Sequence, residues 1–416
     1  MNLDIGHWMR PGILQLPELP PLSLYVHLPW CLKKCPYCDF NSHALQNEGM
    51  AQKTNVSGLS DALQSVYLQA LLADLDTCLP LVWGRPVHSV FIGGGTPSLF
   101  SATSIASMIS EIRARLPLVP DAEITLEANP GTFEKNRFRA FRDAGVTRLS
   151  VGVQSFDDAH LQALGRVHDA QQAWDAVQEA AHSFDTYNLD WMYALPGQNL
   201  DRLTHELDMV LRLSPPHVSI YHLTIEPNTL FHKHPPRNLP SDDEAYAMLD
   251  RIIEKTQAQN LNRYEVSAFA KKGHRCVHNL NYWQFGDYLG LGAGAHSKIS
   301  FAHRVTRWVK HREPQLYMRQ AMAGAATAQT HEVSRKDLPF EFMLNALRLK
   351  EGFSLQAFSD RTGLPLSSIE SPMQEAQAKG WLTLEAGFAQ PTAQGFDFLS
   401  DLQALFLPES GPAHAG

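Results

Sequence analysis

The chain has 416 residues, with 35 Lys and Arg against 43 Asp and Glu for a formal charge of -8; 44% of residues are hydrophobic and 19% charged, with 26 Gly and 26 Pro. At roughly 150 residues per domain this length allows two or three domains, or a barrel-sized domain with a smaller one, and the composition excludes disordered, collagen-like and coiled-coil classes. The acidic balance provides no global field toward nucleic acid or anionic lipid. No stretch reaches the ~18 apolar residues of a membrane span. The opening MNLDIGHWMRPGILQLPELPPL lacks a basic start followed by an apolar block, so the expected location is the cytoplasm. Five cysteines are too few for a disulfide scaffold, and Cys31, Cys35 and Cys38 fall within eight residues while Cys78 and Cys276 stand apart. That clustering favours ligation of a soft metal centre over bridges, and the 19 His also hint at metal or haem chemistry.

In chain order, β-rich runs are predicted at Leu22 to Leu28, His88 to Ile92, Glu123 to Glu127, Arg148 to Val153, Tyr187 to Met192 and Val218 to Leu223. Between them, apolar residues at three- and four-residue intervals predict helices at Ala62 to Leu79, Ser101 to Leu116, Glu134 to Ala144, Asp158 to Leu164 and Leu200 to Leu213. This is a series of six βα units with a parallel sheet, two short of a closed barrel, so the sheet is either an incomplete barrel or an open doubly wound one. Gln46 to Ser60 is polar, without apolar period, and reads as a loop. After Pro227 the alternation is lost: a proline-rich stretch, a helix around Glu244 to Gln259 and the glycine-dense GDYLGLGAGAHS follow. From about Pro339, helical patterns precede a short hairpin and a last helix, the order of a winged-helix module. It has no dense Lys/Arg run, so packing or a protein partner is expected there rather than nucleic acid.

The segment LYVHLPWCLKKCPYCDF spaces its cysteines C-x3-C-x2-C directly after the first predicted strand. A closed zinc site would need a fourth ligand, for which His27 and His43 are at hand. Three thiolates can instead hold three irons of a [4Fe-4S] cluster and leave the fourth iron open to a small molecule. FIGGGTPS, at the end of the second strand, brings backbone close to a ligand at Gly94, Gly95 and Thr96, without the spacing of a P-loop or dinucleotide fingerprint. Glu127, Gln154, Arg166 and Asp190 stand at or just past predicted strand ends, where barrel and open-sheet sites gather their polar groups.

The cysteine spacing resembles that of the radical S-adenosylmethionine family, in which the open iron takes the amino and carboxylate groups of the cosubstrate. Tyr37 sits where members carry an aromatic residue. The resemblance implies an incomplete (β/α)6 TIM-like barrel with a C-terminal, mostly helical winged-helix-like domain. It divides the chain into an N-terminal segment 1–21, a core 22–230, an extension 231–338, the winged-helix-like domain 339–408 and a flexible tail 409–416. The GGG-type turn then binds the cosubstrate's amino group. Within the family the chain is similar to the oxygen-independent coproporphyrinogen oxidase branch, where the residues matching Tyr25, Glu127, Gln154, Arg166 and Asp190 contact the cosubstrate.

Two departures separate the chain from the oxidases: Phe40 stands where their pattern continues with another cysteine, and the first strand begins near Leu22, without their N-terminal extension. Both features, with CPYCDFNSHA, GVQSF and LTIEPNTLF, resemble the haem-chaperone sister group over roughly Pro20 to Leu405. In that group the HNLNYW-type segment is associated with haem binding, which points to His278, Asn279, Tyr282 and Trp283; Cys276 is an alternative soft ligand. The resemblance implies a binding and transfer protein rather than an enzyme. It would carry a [4Fe-4S] cluster, S-adenosylmethionine and haem, deliver haem to acceptor haem proteins of respiration, dock at most peripherally on membranes, and form a homodimer in response to the cluster. The alternative is an oxygen-independent coproporphyrinogen III dehydrogenase using the same cosubstrate pocket.

Overall fold

The computed structural model describes residues 13–45, 59–132 and 136–408. Most of the loop expected over Gln46 to Ser60 lies outside the described residues, as do the start of segment 1–21 and the tail 409–416.

Six parallel strands form the centre: β1 (Leu22–Leu28), β2 (Val87–Gly94), β3 (Leu118–Ala128), β4 (Arg148–Gln154), β5 (Tyr187–Tyr193) and β6 (His217–His222). They lie side by side in sequence order. A doubly wound sheet reverses its strand order at a switch point, whereas an unbroken order with right-handed crossovers carries every helix to the same face. The open-sheet alternative is thereby excluded, and the incomplete barrel stands. Three of the crossover helices start on a side-chain cap of the same kind. Ser60 accepts from Leu63 N–H ahead of α1 (Asp61–Cys78), Ser101 from Ser104 N–H ahead of α2 (Ala102–Arg115), and Asn199 from Arg202 N–H before Leu200–Arg212. Along α1 the buried Tyr67, Ala70, Leu71, Asp74, Leu75 and Cys78 follow a helical period and form the sheet-facing stripe.

The strands alternate in a way that decides where chemistry can occur. Leu22, Leu24, Val26 and Leu28 of β1, Val90 and Ile92 of β2, Ile124 and Leu126 of β3, Leu149, Val151 and Val153 of β4, and Leu189 and Trp191 of β5 belong to the main apolar core. The intervening residues face the interior and are polar: Ser23, Tyr25 and His27; Ser89; Glu123, Thr125 and Glu127; Arg148 and Ser150; Asn188 and Asp190. Several satisfy one another, as in Ser23 Oγ to Ser89 Oγ (2.8 Å), Asn188 Nδ2 to Ser150 Oγ (2.8 Å) and Ser150 Oγ to Asp190 (3.1 Å), while Thr125 Oγ1 has no partner among the described residues.

The sheet does not end with the sixth strand. Beyond β6 lie β7 (Asn262–Arg263) and β8 (Ala268–Ala270). On the far side of β1 come β9 (Asp287–Leu291), parallel to it, and the antiparallel β10 (His296–Phe301), β11 (Arg304–Lys310) and β12 (Thr327–Glu332), giving twelve strands in all. The glycine-dense GDYLGLGAGAHS is thus a strand and a turn, with Leu24 opposite Leu289 and Tyr25 opposite Gly290. This flank is locked by buried charge. Asp287 accepts from Arg85 (2.8 Å), Lys298 (2.9 Å), and Ser300 N–H and Oγ (both 2.8 Å), while Lys310 pairs with Asp74 of α1 at 2.5 Å. A second apolar core unites Leu14 and Leu16 with Phe342, Phe358, Met373 and Leu402. Its helices and three-stranded wing, ordered Phe353–Ser354, Phe388–Pro391 and Leu382–Glu385, complete the winged-helix pattern.

Candidate functional site

The cysteine loop leaves the end of β1 and is tied at each point. Trp30–Cys31 pairs in parallel with His43–Ala44, Cys38 N–H donates to Cys35 O (3.2 Å), and Thr96 Oγ1 lies 3.5 Å from Cys31 Sγ. Gly95 N–H donates to Leu28 O and Thr96 N–H to Trp30 O, both at 2.8 Å. This close approach explains the glycines. A Cβ at Gly95 would stand 2.5 Å from Trp30 O, and one at Gly94, whose φ is +120°, would stand 2.6 Å from the His27 ring.

All three cysteines are partly exposed and line one cavity of about 350 Å³. Its walls include Tyr37, the Gly94–Thr96 turn, Glu127, Gln154, Arg166 and Asp190. Gln154 ends β4 in the left-handed region at φ 64°, a conformation that an L residue adopts only where its surroundings impose it. Arg166 differs from its expected position: it follows a short helix, Asp158–Ala163, and the turn at Gly165 rather than a strand end. Its guanidinium donates to Asn129 Oδ1 (2.9 Å) and Gly152 O (2.8 Å) and reaches Tyr37 Oη (3.4 Å) and Cys35 Sγ (3.5 Å), so a fixed cation faces the sulfur. Burial pushes the Cys31 thiol up to about 11 and raises Cys38 as well.

Glu127 accepts from Gly94 N–H at 2.9 Å. Burial, with Asp190 nearby, pushes its carboxyl up to about 8, and burial likewise raises Asp190. Both carboxyl groups are held above their ordinary range beside an open cavity, where an entering cation would favour their ionised forms. The zinc alternative finds no support in the donor set. Among the described residues no three His, Cys, Asp or Glu side chains are disposed to hold one metal ion, and His27 and His43 are engaged elsewhere, His27 Nε2 with Asn41 O (2.9 Å) and His43 Nε2 with Asn41 Oδ1 (3.4 Å).

Tyr25 lines a second cavity of about 380 Å³ beside the first, and Asp39, Phe40, Gly94 and Glu127 face both. Tyr282 and Tyr288 add aromatic wall, their rings 4.4 Å apart and edge-on, and His296 and Arg312 also line it. Of the HNLNYW residues only Tyr282 lines this space. His278 is 2% exposed, with Nδ1 2.9 Å from Ser89 Oγ and Nε2 3.3 Å from Tyr282 Oη, and burial lowers it to about 3, so the ring is neutral. Trp283 stacks beneath Arg348 of the C-terminal module (4.2 Å), and Cys276 is buried against Glu123. Asn279 is half-buried in the same helix, Val277–Trp283. Sequence reasoning weighed His27 only as a zinc ligand and missed Tyr288, His296 and Arg312. The signal for two of them was the alternation in LSLYVHL, which puts His27 on the face of Tyr25, and the strand hidden in DYLGL, which puts Tyr288 beside them.

A family model described as the radical SAM superfamily matches residues 25–210, and one described as the HemN C-terminal domain matches 333–398. Among solved structures, coproporphyrinogen III oxidase (HemN) from Escherichia coli, described as a radical SAM enzyme, superposes with a TM-score of 0.77. The two share 22% identity, and the match covers 93% of this chain and 90% of that one. Fold and motif together define a protein of the radical SAM class. The chain is 45% identical over 394 residues to the heme chaperone HemW of Escherichia coli (strain K12), covering 94% of this chain and 100% of that one. It is 31% identical to the heme chaperone HemW of Bacillus subtilis (strain 168), covering 93% and 99%. The chain belongs to the HemW family.

Proposed function

We propose that this protein is a haem chaperone that binds haem and passes it to haem proteins of respiration, with Cys31, Cys35 and Cys38 holding a [4Fe-4S] cluster and the adjoining cavity holding S-adenosylmethionine. The observation that carries this reading is the pair of adjoining cavities: one is walled by three free thiols and two carboxyl groups kept out of water, the other by tyrosines suited to a flat tetrapyrrole. The donor set fits the cluster, since three free thiols line one cavity and Arg166 stands against one of them. When bound, the cluster supplies a one-electron centre with an iron open to the cosubstrate's amino and carboxylate groups. The protein's own residues do the rest. The Gly94–Thr96 turn and Glu127 receive the amino group, Gln154, Arg166 and Asp190 orient the remainder, and Tyr37 excludes water. The segment around His278 supplies the tetrapyrrole wall, with His278 holding Tyr282 in place. No helix among the described residues is long and apolar enough to cross a membrane, which suits working in the cytoplasm and docking only peripherally.

The intact cosubstrate cavity also supports the enzymatic reading, oxidative decarboxylation of coproporphyrinogen. Incubating the reconstituted protein with coproporphyrinogen, a reductant and S-adenosylmethionine, alongside a haem titration and transfer to an apo-haem protein, separates the two. Haem uptake and transfer without protoporphyrinogen formation is the expected result; product without a haem complex overturns the chaperone reading. Sedimentation before and after cluster reconstitution tests the cluster-dependent homodimer, which an unchanged molecular mass would rule out.

A further inference from the structure

We infer that the imidazole of His296 is the axial ligand of the bound haem iron, with Arg312 beside it receiving a propionate. This inference rests on the haem-binding reading above and assigns the seat within it.

Of the histidines near the tyrosine wall, two are already engaged at both ring nitrogens. His27 accepts from Tyr25 Oη at Nδ1 (3.0 Å) and donates from Nε2 to Asn41 O (2.9 Å), and His278 lies between Ser89 and Tyr282. Iron ligation by either would break a buried hydrogen bond and require the ring to leave the interior. His296 lines the cavity from an exposed position, and among the described residues its ring makes no hydrogen bond or ion pair. Partial burial, with Arg307 and Arg312 adding to it, keeps it below its ordinary value, so the neutral, ligating form prevails. The Arg312 guanidinium is exposed at the same rim and, among the described residues, unpaired.

The support beneath His296 is rigid, as a ligand's must be. It opens β10 just after a turn bolted to the cysteine loop. Asn41 Nδ2 donates to Ala293 O and to Arg312 O, both at 2.9 Å, Ala293 N–H donates to Tyr67 Oη (2.9 Å), and Gly292 N–H to Tyr317 Oη (3.0 Å). Gly294, at φ 75°, lies so close to Asn41 that a Cβ would meet its Nδ2 at 2.5 Å. The same cavity is lined by Tyr25, Tyr282 and Tyr288, the aromatic surface for one porphyrin face.

The test uses the full-length, cluster-reconstituted protein and ferric haem, read by electron paramagnetic resonance and absorption. Metal-free protoporphyrin, read by fluorescence, tests the pocket without the iron bond. We expect His296→Ala to lose the imidazole-ligated signal and weaken haem binding by roughly tenfold or more. It should bind protoporphyrin as the wild type does, and added imidazole should restore the signal. Arg312→Gln should weaken protoporphyrin binding roughly two- to fivefold and leave binding of its dimethyl ester unchanged. His278→Gln should keep the axial signal. An unchanged haem spectrum in His296→Ala overturns the assignment while the chaperone reading stands; a wild type that takes up neither haem nor protoporphyrin overturns both.

Discussion

Replacing Glu127 by Gln isolates the charge that the cosubstrate cavity holds in reserve. The amide keeps the shape and can still accept from Gly94 N–H, so only ionisation is lost. Burial and Asp190 raise the carboxyl from 4.5 to about 8, which at 1.36 kcal/mol per pK corresponds to about 5 kcal/mol between its protonated and ionised forms. Relaxation around a newly formed charge lowers the expected effect to ~2–4 kcal/mol. Because the folded state holds this proton more tightly than the unfolded chain, its contribution is fully present below about 4.5 and is lost as pH rises through about 8. Urea unfolding of the ligand-free protein between about pH 5 and about pH 9 should therefore show wild-type stability falling relative to Glu127→Gln by that amount. A cationic amino group placed beside Glu127 favours the carboxylate. Wild-type affinity for S-adenosylmethionine should then rise toward pH 8 with proton release, which calorimetry in buffers of different ionisation enthalpy counts. The variant should bind more weakly and without that dependence. Parallel stability curves for the two proteins, or a pH-independent wild-type affinity, would refute the reasoning.

Further outcomes follow from the same geometry. Asp287→Ala leaves Arg85 and Lys298 buried without their carboxylate and should destabilise by ~3–5 kcal/mol in urea unfolding. Because its paired cations hold Asp287 below the ordinary carboxylate range, the wild-type contribution is present at neutral pH and fades as acid protonates it. In the other buried pair, Lys310→Met alone should be costly, while Asp74→Leu with Lys310→Met should recover most of the loss, the sign of a double-mutant cycle. Gly95→Ala pushes a methyl against Trp30 O, so iron per chain after reconstitution should fall to about half that of wild type or less. Since Asp39 and Phe40 wall both cavities, removing the cluster with a chelator should weaken haem binding by roughly threefold or more; an identical haem titration before and after would disprove the coupling.

Much of the fold is legible in the chain because local signals agree with it. LSLYVHL reads as a strand and is one over Leu22–Leu28, and the helices expected over Ala62 to Leu79, Ser101 to Leu116 and Leu200 to Leu213 are found at Asp61–Cys78, Ala102–Arg115 and Leu200–Arg212. The helix expected over Glu134 to Ala144 is found at Arg137–Asp143, and its first expected residues, 134 and 135, lie outside the described residues. The region after Pro227 was opaque for a physical reason. DYLGL has two polar or aromatic and one glycine position in five, so its strand character comes from pairing with β1 more than 260 residues away in sequence, a contact that no local period records.

The site divides in the same way. Cysteine spacing, the glycine turn and the strand-end residues are local patterns, so the sequence alone grouped them and the first cavity gathers them, Arg166 through a helix instead of a strand end; Tyr25, grouped with them, lines the second cavity instead. Only the tertiary structure decided which histidine can reach a ligand. HNLNYW and GAGAHS each offer an imidazole, but burial between Ser89 and Tyr282 engages one, while an antiparallel strand bolted through Asn41 to the cysteine loop presents the other to the cavity. Availability of a side chain is a property of what surrounds it, and those surroundings come from distant parts of the chain.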